Sequence, residues 1–265
     1  ESPRYLVAKG RMDEALAVLT RLFGPDEAPR VAEEIRGSLA KDHQPSMADL
    51  KDPATGKWRQ IVWVGIGLAV FQQFVGINVV FYYGIMLWEA GGFTEQQAFT
   101  TQVINDAVSV GACIVALLLI DKVGRKPLLL VGSLGMALTL GLMTFAFTQG
   151  SIIDGKLVLP PEMGTLAFLA AISYAALFNL SWGPVMWVLL GEMFPNQMRG
   201  SALAVAGFAQ WTANFAISSS FPWALKNLGL ATAYGFYASC AAISFWFVLK
   251  WVKETKGKTL ELMEG

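Results

Sequence analysis

The chain has 265 residues, 54% of them hydrophobic and 15% charged, with 20 basic side chains balanced by 20 acidic ones. A mean hydropathy of +0.48 is too apolar for an enzyme with a solvated surface and is the composition of a membrane protein. Zero net charge excludes the concentrated positive surface that nucleic acid requires, and Cys113 and Cys240, both inside apolar runs, suggest neither a disulfide framework nor a cysteine metal site.

Residues 1–60 are polar, opening on Glu1-Ser2-Pro3-Arg4 with no apolar core of the signal-peptide type. Apolar positions at Ala15, Leu16, Val18, Leu19 and Leu22, then near Val31 and Ile35, predict short amphipathic helices outside the bilayer. Gly24-Pro25 and Gln44-Pro45 separate them. Acidic residues here are as numerous as basic ones, which favours a folded cytoplasmic cap over a lipid-binding segment. His43 has no second ligand at zinc spacing and reads as solvated. No metal or cofactor is expected.

Six apolar runs follow, Ile61 to Trp88, Phe99 to Ile120, Leu128 to Thr148, Leu166 to Leu190, Ala202 to Leu225 and Ala231 to Trp251, each long enough to span a bilayer. The fold class expected is all-α and polytopic, with a transmembrane domain over 61–252 and a tail over 253–265. One set of connections is basic, with Lys122, Arg125, Lys126, Arg199, Lys253, Lys256 and Lys258, and the other holds only Lys156 and Lys226. The positive-inside bias therefore puts both termini in the cytoplasm.

Polar side chains inside these runs carry the functional argument. In the first, Gln72, Gln73, Asn78, Tyr82 and Tyr83 would leave unsatisfied groups if they faced lipid. At about 100° per residue Gln72, Gly76, Val79 and Tyr83 share a stripe, but Gln73 and Asn78 lie roughly 140° apart. Either the helix unwinds near Gly76 or the cavity is wide. The amides line a site for a polar ligand, or serve only to hold helices together.

The second run adds Asn105, Asp106 and Ser109; Asp106 is a candidate proton or ion carrier, or sits partly wet near the outer vestibule. In the fourth, Gly183-Pro184 interrupts the helix, and Trp187 one turn later either stacks on a sugar ring or packs between helices. The fifth carries Gly207, Gln210, Trp211, Asn214 and Ser218 at spacings of three and four. No Ser/His/Asp or Cys/His set, metal-ligand pair or paired carboxylates occur in the spans, so an enzyme is not expected.

Taken in order, Glu1-Ser2-Pro3-Arg4, Gln72-Gln73-Phe74-Val75-Gly76-Ile77-Asn78 with Tyr82-Tyr83, Asp121-Lys122-Val123-Gly124-Arg125-Lys126, Gly183-Pro184-Val185-Met186-Trp187, Glu192-Met193-Phe194-Pro195 with Arg199, Gln210-Trp211 with Asn214, and Glu254-Thr255-Lys256-Gly257 resemble the sugar porters of the major facilitator superfamily. The similarity covers essentially the whole chain. It is strongest to the C-terminal half of bacterial proton-coupled D-xylose and hexose symporters and extends to animal glucose facilitators.

The resemblance implies six spans as two inverted three-helix repeats in the cell membrane, with the substrate site between two such halves. It implies that Gln72, Gln73 and Asn78 bond a monosaccharide such as D-xylose or D-glucose, that Trp187 stacks on it and that Gln210 and Asn214 line the same pocket. Asp121, Arg125, Glu192, Arg199 and Glu254 would form a cytoplasmic charge network holding one access state closed. Lys253 stands where the family usually has proline, and Ser109 where it commonly has asparagine. Partners implied are the bilayer, possible coupling protons, and an N-terminal six-span half or a second copy. A membrane sugar sensor that keeps the pocket without transport is the alternative.

Overall fold

The computed structural model describes residues 2–41, 46–82, 84, 88, 89, 94–153 and 156–257. Glu1, His43, the Gln44-Pro45 break, Tyr83 and Lys258 lie outside the described residues. The chain divides into two compact units, Glu1–Asp49 and Leu50–Gly265.

The first unit is three short helices, α1 (Pro3–Ala8), α2 (Met12–Phe23) and α3 (Ala28–Lys41). Ser2 caps α1 by accepting the Tyr5 backbone N–H at 3.3 Å, and Pro3 fills the first helical position, where its missing N–H costs nothing. Of the apolar positions read from the sequence, Ala15 is buried with Leu6 and Val7 in one small cluster and Leu19 with Ala28 and Ala32 in another; Leu16, Val18, Val31 and Ile35 pack against these clusters, whereas Leu22 is exposed.

The second unit holds α4 (Gln60–Phe74), α5 (Ile77–Tyr82), α6 (Glu95–Val123), α7 (Arg125–Thr148), a hairpin of β1 (Ser151–Ile153) and β2 (Lys156–Val158), α8 (Pro161–Leu180), α9 (Pro184–Met193), α10 (Asn196–Leu228) and α11 (Leu230–Trp251). α6 opens on a capping box, Thr94 accepting the Gln97 N–H while the Gln97 side chain reaches back. Among the described residues five stretches are long and apolar enough to cross a membrane: Gln60–Tyr82, α6, α7, Pro161–Met193 and α11. Where the sixth span is expected the structure has a helix, α10, 33 residues long, which is not among these five; its Gln210, Asn214 and serines lower its hydropathy.

Two of these stretches are broken helices. α4 ends at Phe74 and α5 begins at Ile77, with Gly76 between them at φ +83°. A side chain there would be strained in the left-handed region, and a Cβ would lie 2.5 Å from the Tyr237 ring. α8 stops at Leu180 and α9 restarts at Pro184, since proline supplies no N–H to continue the ladder. α7 packs against α8 and α11, α6 against α8, and α10 against α4. Glycine permits the α7–α8 approach: a Cβ on Gly135 would come 2.7 Å from Leu177, and one on Gly132 would overlap Ser181.

Candidate functional site

Both helix breaks deliver polar groups to one place. The Gln72 amide N–H donates to the Trp182 carbonyl at 3.0 Å, an oxygen in the non-helical Ser181–Gly183 segment. Trp182 is held there by its own indole N–H, which donates to Ser133 Oγ at 3.0 Å and Leu129 O at 3.2 Å. Ser244 Oγ donates in turn to Ser133 Oγ at 2.9 Å. On the α4 side, the Tyr174 hydroxyl donates to the Val75 carbonyl at 2.7 Å, fixing the start of the turn through Gly76.

From Gln72 the network spreads. Its Oε1 accepts from Gln73 Nε2 at 3.2 Å and from Gln210 Nε2 on α10. Gln73 Oε1 accepts from Asn78 Nδ2 on α5 and from Asn214 Nδ2 at 3.1 Å. Thus Gln72, Gln73, Asn78, Gln210 and Asn214 form one connected amide cluster. The turn at Gly76 is what lets Asn78 reach Gln73 although a regular helix would place them on different faces.

The cluster is neutral and not saturated. Gln210 Oε1 is buried without a hydrogen-bond partner among the described residues, and the Asn78 and Asn214 oxygens accept no bond there. Each amide NH2 also has a second hydrogen. Spare acceptors beside spare donors, with no charge, suit a ligand whose hydroxyl groups both give and take hydrogen bonds.

Trp187 is not joined to this cluster: it is 41% exposed and takes part in no hydrogen bond or ring contact among the described residues. Asn105 and Ser109 are buried, and neither polar side-chain atom of Asn105 has a partner among the described residues. Asp106 accepts from Gln102 Nε2 at 3.0 Å, one helical turn earlier, a pairing the sequence reading overlooked.

A second polar cluster sits where α6 meets α7 and α11 runs out. The Arg125 guanidinium meets Glu192 Oε1 at 2.7 Å and Asp121 Oδ1 at 2.8 Å and donates to the Ile120 carbonyl at 3.1 Å. Glu254 accepts the backbone N–H groups of Arg125 at 3.0 Å and Lys126 at 2.9 Å, the exposed N–H groups at the start of α7. It also accepts those of Thr255 and Lys256. Burial pushes the Glu254 carboxyl up, but the N–H bonds from Lys256, Arg125, Lys126 and Thr255 outweigh it and leave the group below its ordinary value.

Gly124, at φ +103°, makes room, since a Cβ there would come 2.8 Å from Glu254 Oε2. Thr255, which the sequence reading did not single out, donates to Glu192 Oε2 at 2.6 Å and ties the two acids together. Arg199 stands apart: its guanidinium donates to the Phe194 carbonyl at 3.1 and 3.2 Å and forms no ion pair with the cluster.

The family model described as sugar (and other) transporter matches residues 1–265. The glucose transport protein of Synechocystis sp. is 48% identical over 263 residues, covering 99% of this chain and 56% of that protein. The D-xylose-proton symporter of Escherichia coli is 38% identical over 273 residues, covering 100% of this chain and 52% of that protein. The crystallised proton:xylose symporter XylE bound to 6-bromo-6-deoxy-D-glucose superposes with a TM-score of 0.78 at 36% identity, over 99% of this chain and 53% of XylE. The chain spans about half the length of the curated relatives it matches.

Proposed function

Since the chain belongs to the sugar (and other) transporter family, as a multi-pass membrane protein, we propose that it is the C-terminal six-helix half of a sugar transporter that works by alternating access. On this reading its helices form two inverted three-helix repeats, it lies in the cell membrane with both termini cytoplasmic, and a monosaccharide such as D-xylose or D-glucose moves with protons. Its partner is an N-terminal half or a second copy.

The observation that carries the reading is the neutral amide cluster with Gln210 Oε1 buried and unfilled. Gln72, Gln73, Asn78, Gln210 and Asn214 give the sugar hydroxyls partners as they leave water, and Trp187, exposed on α9, stacks on the ring. Amides suit this task because they offer donors and acceptors without the desolvation cost of an ion. The cluster of Asp121, Arg125, Glu192 and Glu254 closes one access state, with Arg199 bracing the Phe194 turn beside it.

The test is sugar-dependent thermal stabilisation of the detergent-solubilised protein against a panel of hexoses and pentoses, because a ligand that binds only the folded state raises apparent stability. A selective rise that Gln210→Leu abolishes is expected. No rise with any sugar, or an undiminished rise in the variant, overturns the site.

A further inference from the structure

At the end of the second unit where α4 begins and α11 stops, a cavity of about 200 Å³ opens between α4, α9 and α11. Ile61, Val64, Leu189 and Met193 form its apolar part; Val64, Leu189 and Met193 are buried. Lys250, Lys253 and Gln60 line it as well, and all three are exposed. The cavity is therefore greasy inside and basic outside.

Neither lysine is neutralised. Lys253 has no hydrogen bond or ion pair among the described residues, and the Lys250 ammonium lies only over the Trp251 ring, 4.9 Å from its centroid. The nearby acids are committed elsewhere, Glu192 to Arg125 and Thr255 and Glu254 to four backbone N–H groups.

Aromatic rings crowd this same end of the unit. Trp58 and Trp63, flanking the start of α4, pack with ring centroids 5.5 Å apart, and Trp251, which lines the cavity, meets Phe247 at 5.3 Å. Tryptophan beside lysine is the composition found at the headgroup level of a bilayer.

We propose that this cavity binds an anionic phospholipid from the surrounding leaflet, its phosphate held by Lys250 and Lys253 and its acyl chain started along Ile61, Val64, Leu189 and Met193. A lone phosphate would satisfy the lysines but leave the apolar wall of Ile61, Val64, Leu189 and Met193 uncovered. Thr255 also lines the cavity and donates to Glu192, so the site adjoins the charge cluster.

The experiment compares thermal unfolding of the purified protein in detergent with added phosphatidylglycerol, phosphatidylcholine of the same chains, and inorganic phosphate. Phosphatidylglycerol should raise the midpoint more than either. The Lys250→Ala/Lys253→Ala variant should bind it roughly thirty-fold more weakly, from the loss of two surface lysines, with Lys253→Ala alone in between. Both side chains are exposed, and the variant's midpoint in phosphatidylcholine reports that it is folded. Equal stabilisation by the two lipids, a full effect from inorganic phosphate, or an undiminished preference in the double variant each overturns the proposal.

Discussion

At the residue scale, the members of the amide cluster differ in how many of their hydrogen-bonding groups are already used. Gln72 is the hub, accepting from two neighbours and donating to Trp182, so Gln72→Leu strands several buried groups. It should cost about 1–3 kcal/mol of stability as well as sugar affinity. Among the described residues the Asn214 side chain makes one hydrogen bond, to Gln73, and its oxygen accepts none. Asn214→Leu should therefore weaken sugar binding about tenfold, one charge-free hydrogen bond with its desolvation, while shifting the unfolding midpoint little; titration calorimetry and thermal denaturation of both variants check the contrast.

Glu254 supplies a pH prediction. Its folded pKa lies below the unfolded one, so its contribution is complete above the ordinary glutamate value of about 4.3 and is lost as pH falls through the lower folded value. Hydrogen exchange of the Lys126 and Lys256 amides should be slower in the native protein than in Glu254→Gln at neutral pH, and the difference should vanish in acid. A difference that persisted unchanged in acid would count against the carboxylate as its source.

That the amides of α4 and α10 meet was legible only through the resemblance to the sugar porters; the residues themselves showed two spans with polar faces, and buried amides need partners without specifying which. The Trp182 carbonyl was not, since any backbone oxygen can accept and only the break before Pro184 frees this one. Nor was the partner of Arg199, because a basic residue at the right end of a bundle does not specify which oxygen it meets.

At the element scale, the turn at Gly76 converts one helix into two with a common polar side. The sequence carried this as a conflict: Gln73 and Asn78 could not share a face of a straight helix, so unwinding at the glycine between them was one of two solutions. The β1–β2 hairpin gave no such signal, since three-residue strands have too short a period to register. α10 was legible as a long helix from the apolar run Ala202 to Leu225, and its polar stripe is what keeps it out of the five most apolar stretches.

The same geometry predicts that Gly76→Ala is disruptive. Its left-handed φ costs an L-residue about 1–2 kcal/mol, and the added methyl would meet Tyr237 at 2.5 Å. Thermal unfolding should show a loss of at least about 2 kcal/mol, accompanied by loss of sugar stabilisation as Asn78 is withdrawn from Gln73. Gly164→Ala, where a Cβ meets nothing within 4 Å, should do neither and serves as the control.

At the scale of the whole molecule, binding and transport part company. The amide cluster is complete within this chain, drawn from α4, α5 and α10 with the Trp182 carbonyl between α8 and α9, so these 265 residues alone should retain measurable, weak sugar affinity. Alternating access, by contrast, needs one helical bundle to rock against another around a fixed site, and the relatives are nearly twice as long. α6 bears on the same point: only 22% of its most apolar window is buried, and Phe99, Val110, Leu117 and Leu118 are all more than half exposed, a face that lipid or another bundle must cover. Reconstituted by themselves in sealed vesicles, these residues should give sugar-dependent stabilisation but no uptake above empty vesicles. Saturable uptake at protein densities too low for pairing would mean that one six-helix bundle opens to both sides unaided, and the division of labour between halves would fall with it.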